Sequence, residues 1–152
     1  MKPNTCLLLL VLSIVAFMGC SPAILVDMSG SWTATNTIKT STDETVYKIG
    51  SISTASCTIA DNEGVLSINN FTMPGYEFID WNAGYGTRSE FSFSMNVTGS
   101  YLNPSMQTVS VVITFDGTIA EDEIRGAGDF IQTMSVSGVS VRATGTSNLV
   151  KG

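Results

Sequence analysis

The sequence predicts an all-β domain: an antiparallel up-and-down barrel of about eight strands or, as the alternative, a two-sheet β-sandwich. Three observations lead there. Apolar and polar residues alternate with period two, most clearly where Phe91, Phe93, Met95 and Val97 interleave with Ser92, Ser94, Asn96 and Thr98. No stretch keeps apolar residues at helical spacing over three turns, while Ser, Thr, Val and Ile dominate, as suits a pleated, half-buried surface. Turn-forming clusters punctuate the chain at hairpin spacing.

The strands follow from these signals in order. The first, 31–39, opens after Gly30 and carries Trp32. The second, 45–59, follows Asp43-Glu44, and Gly50 is a place where it can break in two. Asp61-Asn62-Glu63-Gly64 turns the chain into 65–72, and Met73-Pro74-Gly75 turns it into 76–81. Asn82-Ala83-Gly84 then leads to 88–101, and Asn103-Pro104 to 106–119, where Asp116-Gly117 reads as a bulge. Glu121-Asp122 and Ser137-Gly138 introduce 123–136 and 139–147. Closing a barrel removes the exposed edges that an open sheet must protect. About eight strands enclose an interior that side chains fill or that holds one small ligand.

Residues 1–20 carry a different signal. Lys2 and the amino terminus give a positive start, and Cys6–Met18 is an uncharged apolar run of 13 residues. That length suits a signal-peptide core and falls short of the ~20 residues a spanning helix needs. The run ends in Phe17-Met18-Gly19-Cys20, which resembles the lipobox of bacterial lipoproteins; Gly19 matches the small residue before the cysteine, and Phe17 and Met18 are looser matches. The resemblance implies cleavage before Cys20 and lipid on Cys20, hence a signal peptide over 1–19, a lipidated tether over 20–28 and a barrel domain over 29–152. It places the protein in the bacterial cell envelope, held to the membrane through that lipid. Ser21, where an inner-membrane retention signal would have Asp, points to the outer membrane. The alternative is an ordinary secretory signal and a secreted protein.

Composition narrows the function. Cleavage removes Lys2, leaving six basic residues against thirteen acidic ones, hence a formal net charge of −7. The basic residues are scattered, so no basic face for nucleic acid is expected. An acidic domain is repelled by anionic lipid headgroups, so an anchor has to be covalent. With Cys6 removed and Cys20 modified, Cys57 has no partner and reads as a small core residue.

The first strand opens with Met28-Ser29-Gly30-Ser31-Trp32, and Gly30-x-Trp32 resembles the G-x-W that begins the first strand of lipocalins and related calycin barrels. In that family the Trp closes one end of the barrel and an Arg near the last strand packs across it. The resemblance assigns that part to Arg142. The family's second motif, of Thr-Asp-Tyr type, is missing, so the resemblance points to the barrel more than to true lipocalins.

Catalytic chemistry is not expected. The chain has no His, so the usual Ser/His/Asp and Cys/His systems and the commonest zinc ligand are missing. The acidic residues gather at turns without the spacing of a calcium loop. No catalytic residue, metal site or cofactor is assigned. Two functions stay open. In one, the barrel holds a small apolar ligand lined by Trp32, Phe91, Phe93, Met95, Phe115, Phe130 and Met134, since Met and Phe suit an adaptable pocket. A void of roughly 300 Å³ or more would mark it. In the other, the core is filled and a structural or interaction lipoprotein acts through its loops. Trp81 and Tyr85, in the aromatic 80–86 loop, are then the partner-binding residues, because Trp and Tyr are common interface anchors.

Overall fold

The structure, a computed structural model, describes residues 26–82 and 84–152. Cys6, Cys20 and the whole signal segment lie outside these residues. The described residues form nine strands: β1 (Gly30–Ser41), β2 (Ile52–Asn62), β3 (Val65–Thr72), β4 (Asp80–Trp81), β5 (Gly84–Ser89), β6 (Ser92–Leu102), β7 (Thr108–Ile119), β8 (Arg125–Val136) and β9 (Val139–Lys151). Eight of them run round a ring in the order β6-β5-β3-β2-β1-β9-β8-β7, and β6 pairs with β7 to close it. All pairings are antiparallel and each ring strand has two neighbours. The fold is therefore a closed eight-stranded antiparallel barrel with one extra short strand, and the sandwich alternative is set aside.

Alternation does the sorting between inside and outside. On β1, Trp32, Ala34, Asn36 and Ile38 are buried while Ser31, Thr33 and Thr35 are exposed. On β7, Val109, Val111, Ile113 and Phe115 are buried in the same rhythm. Burying a full-sized apolar side chain contributes about 1.5–3 kcal/mol, and this period-two pattern delivers one to the core from every second residue. A one-residue slip would turn the entire set to water, so the register is tightly specified.

The barrel has two unlike ends. Val26 enters at the near end, where the β2–β3, β5–β6 and β7–β8 turns and the C-terminus also lie. At the far end are the β1–β2 loop (42–51), the β3–β4 loop (73–79), the β6–β7 loop (103–107) and the β8–β9 turn.

Several boundaries differ from the sequence reading. The second strand starts at Ile52, because 42–51 folds into a loop that sends Tyr47 into the barrel mouth. Asp43 shapes this loop: its carboxylate accepts from the Thr45 amide and hydroxyl, and its carbonyl accepts from the Val46 and Tyr47 amides. The expected 88–101 strand is two strands that reverse at Glu90-Phe91, with Glu90 at a φ of 50°. The expected 76–81 strand shrinks to Asp80–Trp81, which pairs with Ser100 and Gly99 of β6 just beyond the end of β5. From Trp81 to Tyr85 the chain advances four residues while its partner moves three, from Gly99 to Asn96, so one extra residue separates β4 from β5. At Asp116-Gly117 the pairing runs through without a register shift, so no bulge forms there.

Candidate functional site

Three regions bear on function: the closed near end, the interior and the far end. At the near end, Val26 and Met28 are fully buried, so the packed chain begins three residues before the start read from the sequence. Trp32 donates its indole N–H to the Met28 carbonyl at 2.7 Å. Met28 in turn donates its amide to Asp61 at 3.0 Å. Arg88 pairs with the same carboxylate through Nε (2.5 Å) and Nη2 (3.1 Å), and both side chains are almost wholly buried. Burial alone would push Asp61 up, but hydrogen bonds from Arg88, Met28 and Gly64, with the Arg88 charge, hold it below the ordinary carboxylate range.

The residue over Trp32 is Lys151, which corrects the assignment to Arg142. Its ammonium stands 5.8 Å from the ring centroid. Trp32 and Lys151 are direct Cα partners, because β9 runs on past 147 to Lys151. Arg142 is exposed near the far end of β9, where its backbone pairs with Thr42.

The interior is nearly full. A void lined by Trp32, Ala34, Ala55, Cys57, Phe71, Met95, Phe115 and Leu149 has about 20 Å³ of room, which is space for about one water. Cys57 is a half-buried free thiol packed against the core, and burial pushes it up to about 11. Besides the Asp61–Arg88 pair, the polar residues Asn36, Gln132 and Ser147 are buried among the described residues.

Of the residues expected to line a ligand pocket, Trp32, Phe93, Met95, Phe115 and Phe130 are buried inside the barrel, and Phe115 and Phe130 are neighbours at 6.4 Å. Met134 is partly buried against the core, its sulfur accepting from the Tyr101 hydroxyl at 3.7 Å. Phe91 is 39% exposed at the β5–β6 turn. It stands outside because the turn at Glu90-Phe91 interrupts the alternation on which its inward placement rested. The two residues expected to bind a partner are separated. Trp81 packs edge-on to Phe71 at 4.7 Å and is partly buried, whereas Tyr85 is 68% exposed on the outer face of β5.

The far end presents what the sequence reading missed. Of the twelve exposed large apolar side chains among the described residues, seven lie there: Val46, Ile49, Ile52, Phe78, Leu102, Met106 and Val139. Phe78 packs edge-on to Tyr101 at 4.7 Å and leans on Tyr76 at 6.0 Å, so it is held in place while 56% exposed. Beside it a groove of about 320 Å³ runs between Met73, Pro74, Tyr76, Ile79 and Trp81. A broader hollow of about 480 Å³ lies over β7, β8 and β9 at the near end, lined by Ile119, Arg125, Leu149 and neighbours. There the exposed apolar residues Val65, Phe91, Ile124 and Val150 sit among the acidic turns of Glu63, Glu90 and Glu121-Asp122-Glu123. The far-end loops also carry Asp43, Glu44, Lys48 and Glu77, but they gather seven of the exposed apolar side chains against four at the near end, so the far end is the stronger candidate for an interaction surface. Phe78 and Met106 gave no sequence signal, since alternation and turn residues do not distinguish a loop side chain folded inward from one left outside.

Among the described residues, no group of three His, Cys, Asp or Glu side chains comes together to hold a metal ion, and no helix is long and apolar enough to cross a membrane. No protein-family model, curated protein or solved structure matches the chain.

Proposed function

We propose that this protein is a lipid-anchored component of the bacterial cell envelope that acts through the loops of its far end, as a non-enzymatic interaction protein. The observation that carries it is the contrast between an interior with about 20 Å³ of room and a far end that exposes seven large apolar side chains. A carrier for a small apolar molecule needs roughly 300 Å³ or more, so the present interior favours the filled-barrel reading. From Cys20 to Val26 the chain has six residues, which reach ~20 Å at most. Lipid on Cys20 would hold the near end towards the bilayer and leave the far-end loops free to meet a partner. One acyl chain anchors marginally and two or more anchor stably, at ~0.8 kcal/mol per buried CH₂.

Two substitutions test the two halves of this proposal. Cys20→Ser in the full chain should abolish incorporation of labelled fatty acid; continued labelling would overturn the anchor. Phe78→Ser with Met106→Ser should lower the melting temperature only modestly, by the loss of the Phe78–Tyr101 contact, leave the protein folded, and abolish co-purification of the partner. Undiminished co-purification would show that the far end is not the contact surface.

A further inference from the structure

We infer that the outer wall over β5, β6 and β7 is a saccharide-binding site, which takes a neutral, β-linked chain of glucose-type rings stacked on Tyr85. The strand register builds it. Tyr85, Asn96 and Thr114 are successive Cα partners across the three strands, and so are Thr87, Ser94 and Asp116. Partners in an antiparallel ladder point to the same face, so these six side chains stand in two parallel rows on the outside of the barrel. The rows lie ~7 Å apart and each spans ~10 Å across three strands, about the footprint of two sugar rings. A hollow of about 270 Å³ lies between them and reaches down to Gly86 and Met95.

The residue types select the ligand. Tyr85 is 68% exposed, and among the described residues it is the one aromatic side chain on the outer face of the eight ring strands, where Ser and Thr predominate. Its ring gains nothing from the core. Laid against the C–H face of a pyranose, it takes apolar surface of both partners out of water. Thr87, Ser94, Asn96 and Thr114 each carry groups that donate and groups that accept, which matches sugar hydroxyls that do the same. Asp116 adds a charged acceptor, whose hydrogen bonds are the stronger kind. Glucose-type rings in β-linkage hold their substituents equatorial, which leaves the flat C–H faces that stacking needs. An acidic sugar is repelled, because Asp129 is the Cα partner of Asp116 and no Lys or Arg stands in either row or at the flanking positions on β3 and β8. A simple cation would engage Asp116 and Tyr85 and leave the four neutral side chains idle. The site stands on the wall, apart from the far-end loops, and is independent of the protein contact proposed for them.

The test is NMR of the full chain in detergent micelles, titrated separately with cellotetraose, chitotetraose and tetragalacturonate. Saturable shifts of the Asn96 side-chain NH₂ and Gly86 amide signals are expected with at least one of the two neutral chains and not with the acidic one. Tyr85→Ala, at an exposed position, should leave the rest of the spectrum unchanged and weaken the response at least tenfold. Asp116→Asn should weaken it several-fold, whereas Phe78→Ser with Met106→Ser should leave it intact. No saturable shift with either neutral chain, an equal response to tetragalacturonate, or an undiminished response in Tyr85→Ala would overturn the site and leave this wall as an ordinary solvated face.

Discussion

Lys151 holds its ammonium 5.8 Å from the centre of the Trp32 ring while the carbon stem of the same side chain lies against Gly30. A Cβ at Gly30 would stand 2.9 Å from the Lys151 Cε, and Gly30 adopts a φ of 130°, which side-chain-bearing residues rarely take. Gly30, Trp32 and Lys151 are therefore one device that shuts the near end. Lys151→Ala should lower stability by ~0.5–1 kcal/mol through loss of the cation–π contact, with some further loss of packing. Arg142→Ala should have almost no effect in the same thermal melts.

The Asp61–Arg88 pair makes stability depend on pH. Asp61 is held below its ordinary value in the folded protein, so its contribution is present above the ordinary carboxylate range and is lost as pH falls through the depressed folded value. Melting temperature should fall as pH is lowered below about 4, and Asp61→Asn should flatten part of that fall. Arg88→Met at neutral pH leaves a buried carboxylate without its partner and should cost ~3–5 kcal/mol.

Cys57 should react slowly. With its thiol pushed up to about 11 and its side chain half-buried, only about one molecule in a thousand carries the thiolate at pH 8. In a chain with Cys6→Ser and Cys20→Ser, alkylation by iodoacetamide should be ~100-fold slower in the folded protein than in urea. Equal rates would show that the wall around Cys57 opens freely.

Gly86 stands where β6 leaves no room for a side chain on β5. A Cβ there would lie 2.4 Å from the Ser94 carbonyl oxygen, a backbone atom with nowhere to move. Gly86→Ala should destabilise by ~1–3 kcal/mol or more, with hydrogen exchange rising first along β5 and β6.

The same glycines show why part of the fold was legible and part was not. Alternation revealed β1, β3, β7 and β8 to within two residues, because each presents one face to the core and one to water. Gly84 read as a turn, yet together with Gly86 it lies in strand β5, where the neighbouring strand leaves no room for a side chain. The real turn, Glu90-Phe91, contains no Gly, Pro, Asn or Asp to announce it, so the alternation seemed to run through. Lys151 was passed over because β9 was ended at 147, which left Arg142 as the last basic residue on it. The apolar far end depended on how four separate loops meet, which no local pattern carries.

The central claim is that the far-end loops, and not the barrel walls, meet a partner. It is tested most directly by placing a photo-crosslinking amino acid at Phe78, at Met106 or at Tyr85 of the full chain in living cells. A discrete crosslinked species from Phe78 and Met106, and none from Tyr85 on the outer wall, is the predicted result. No discrete species from Phe78 or Met106, or an equally strong one from Tyr85, would contradict it.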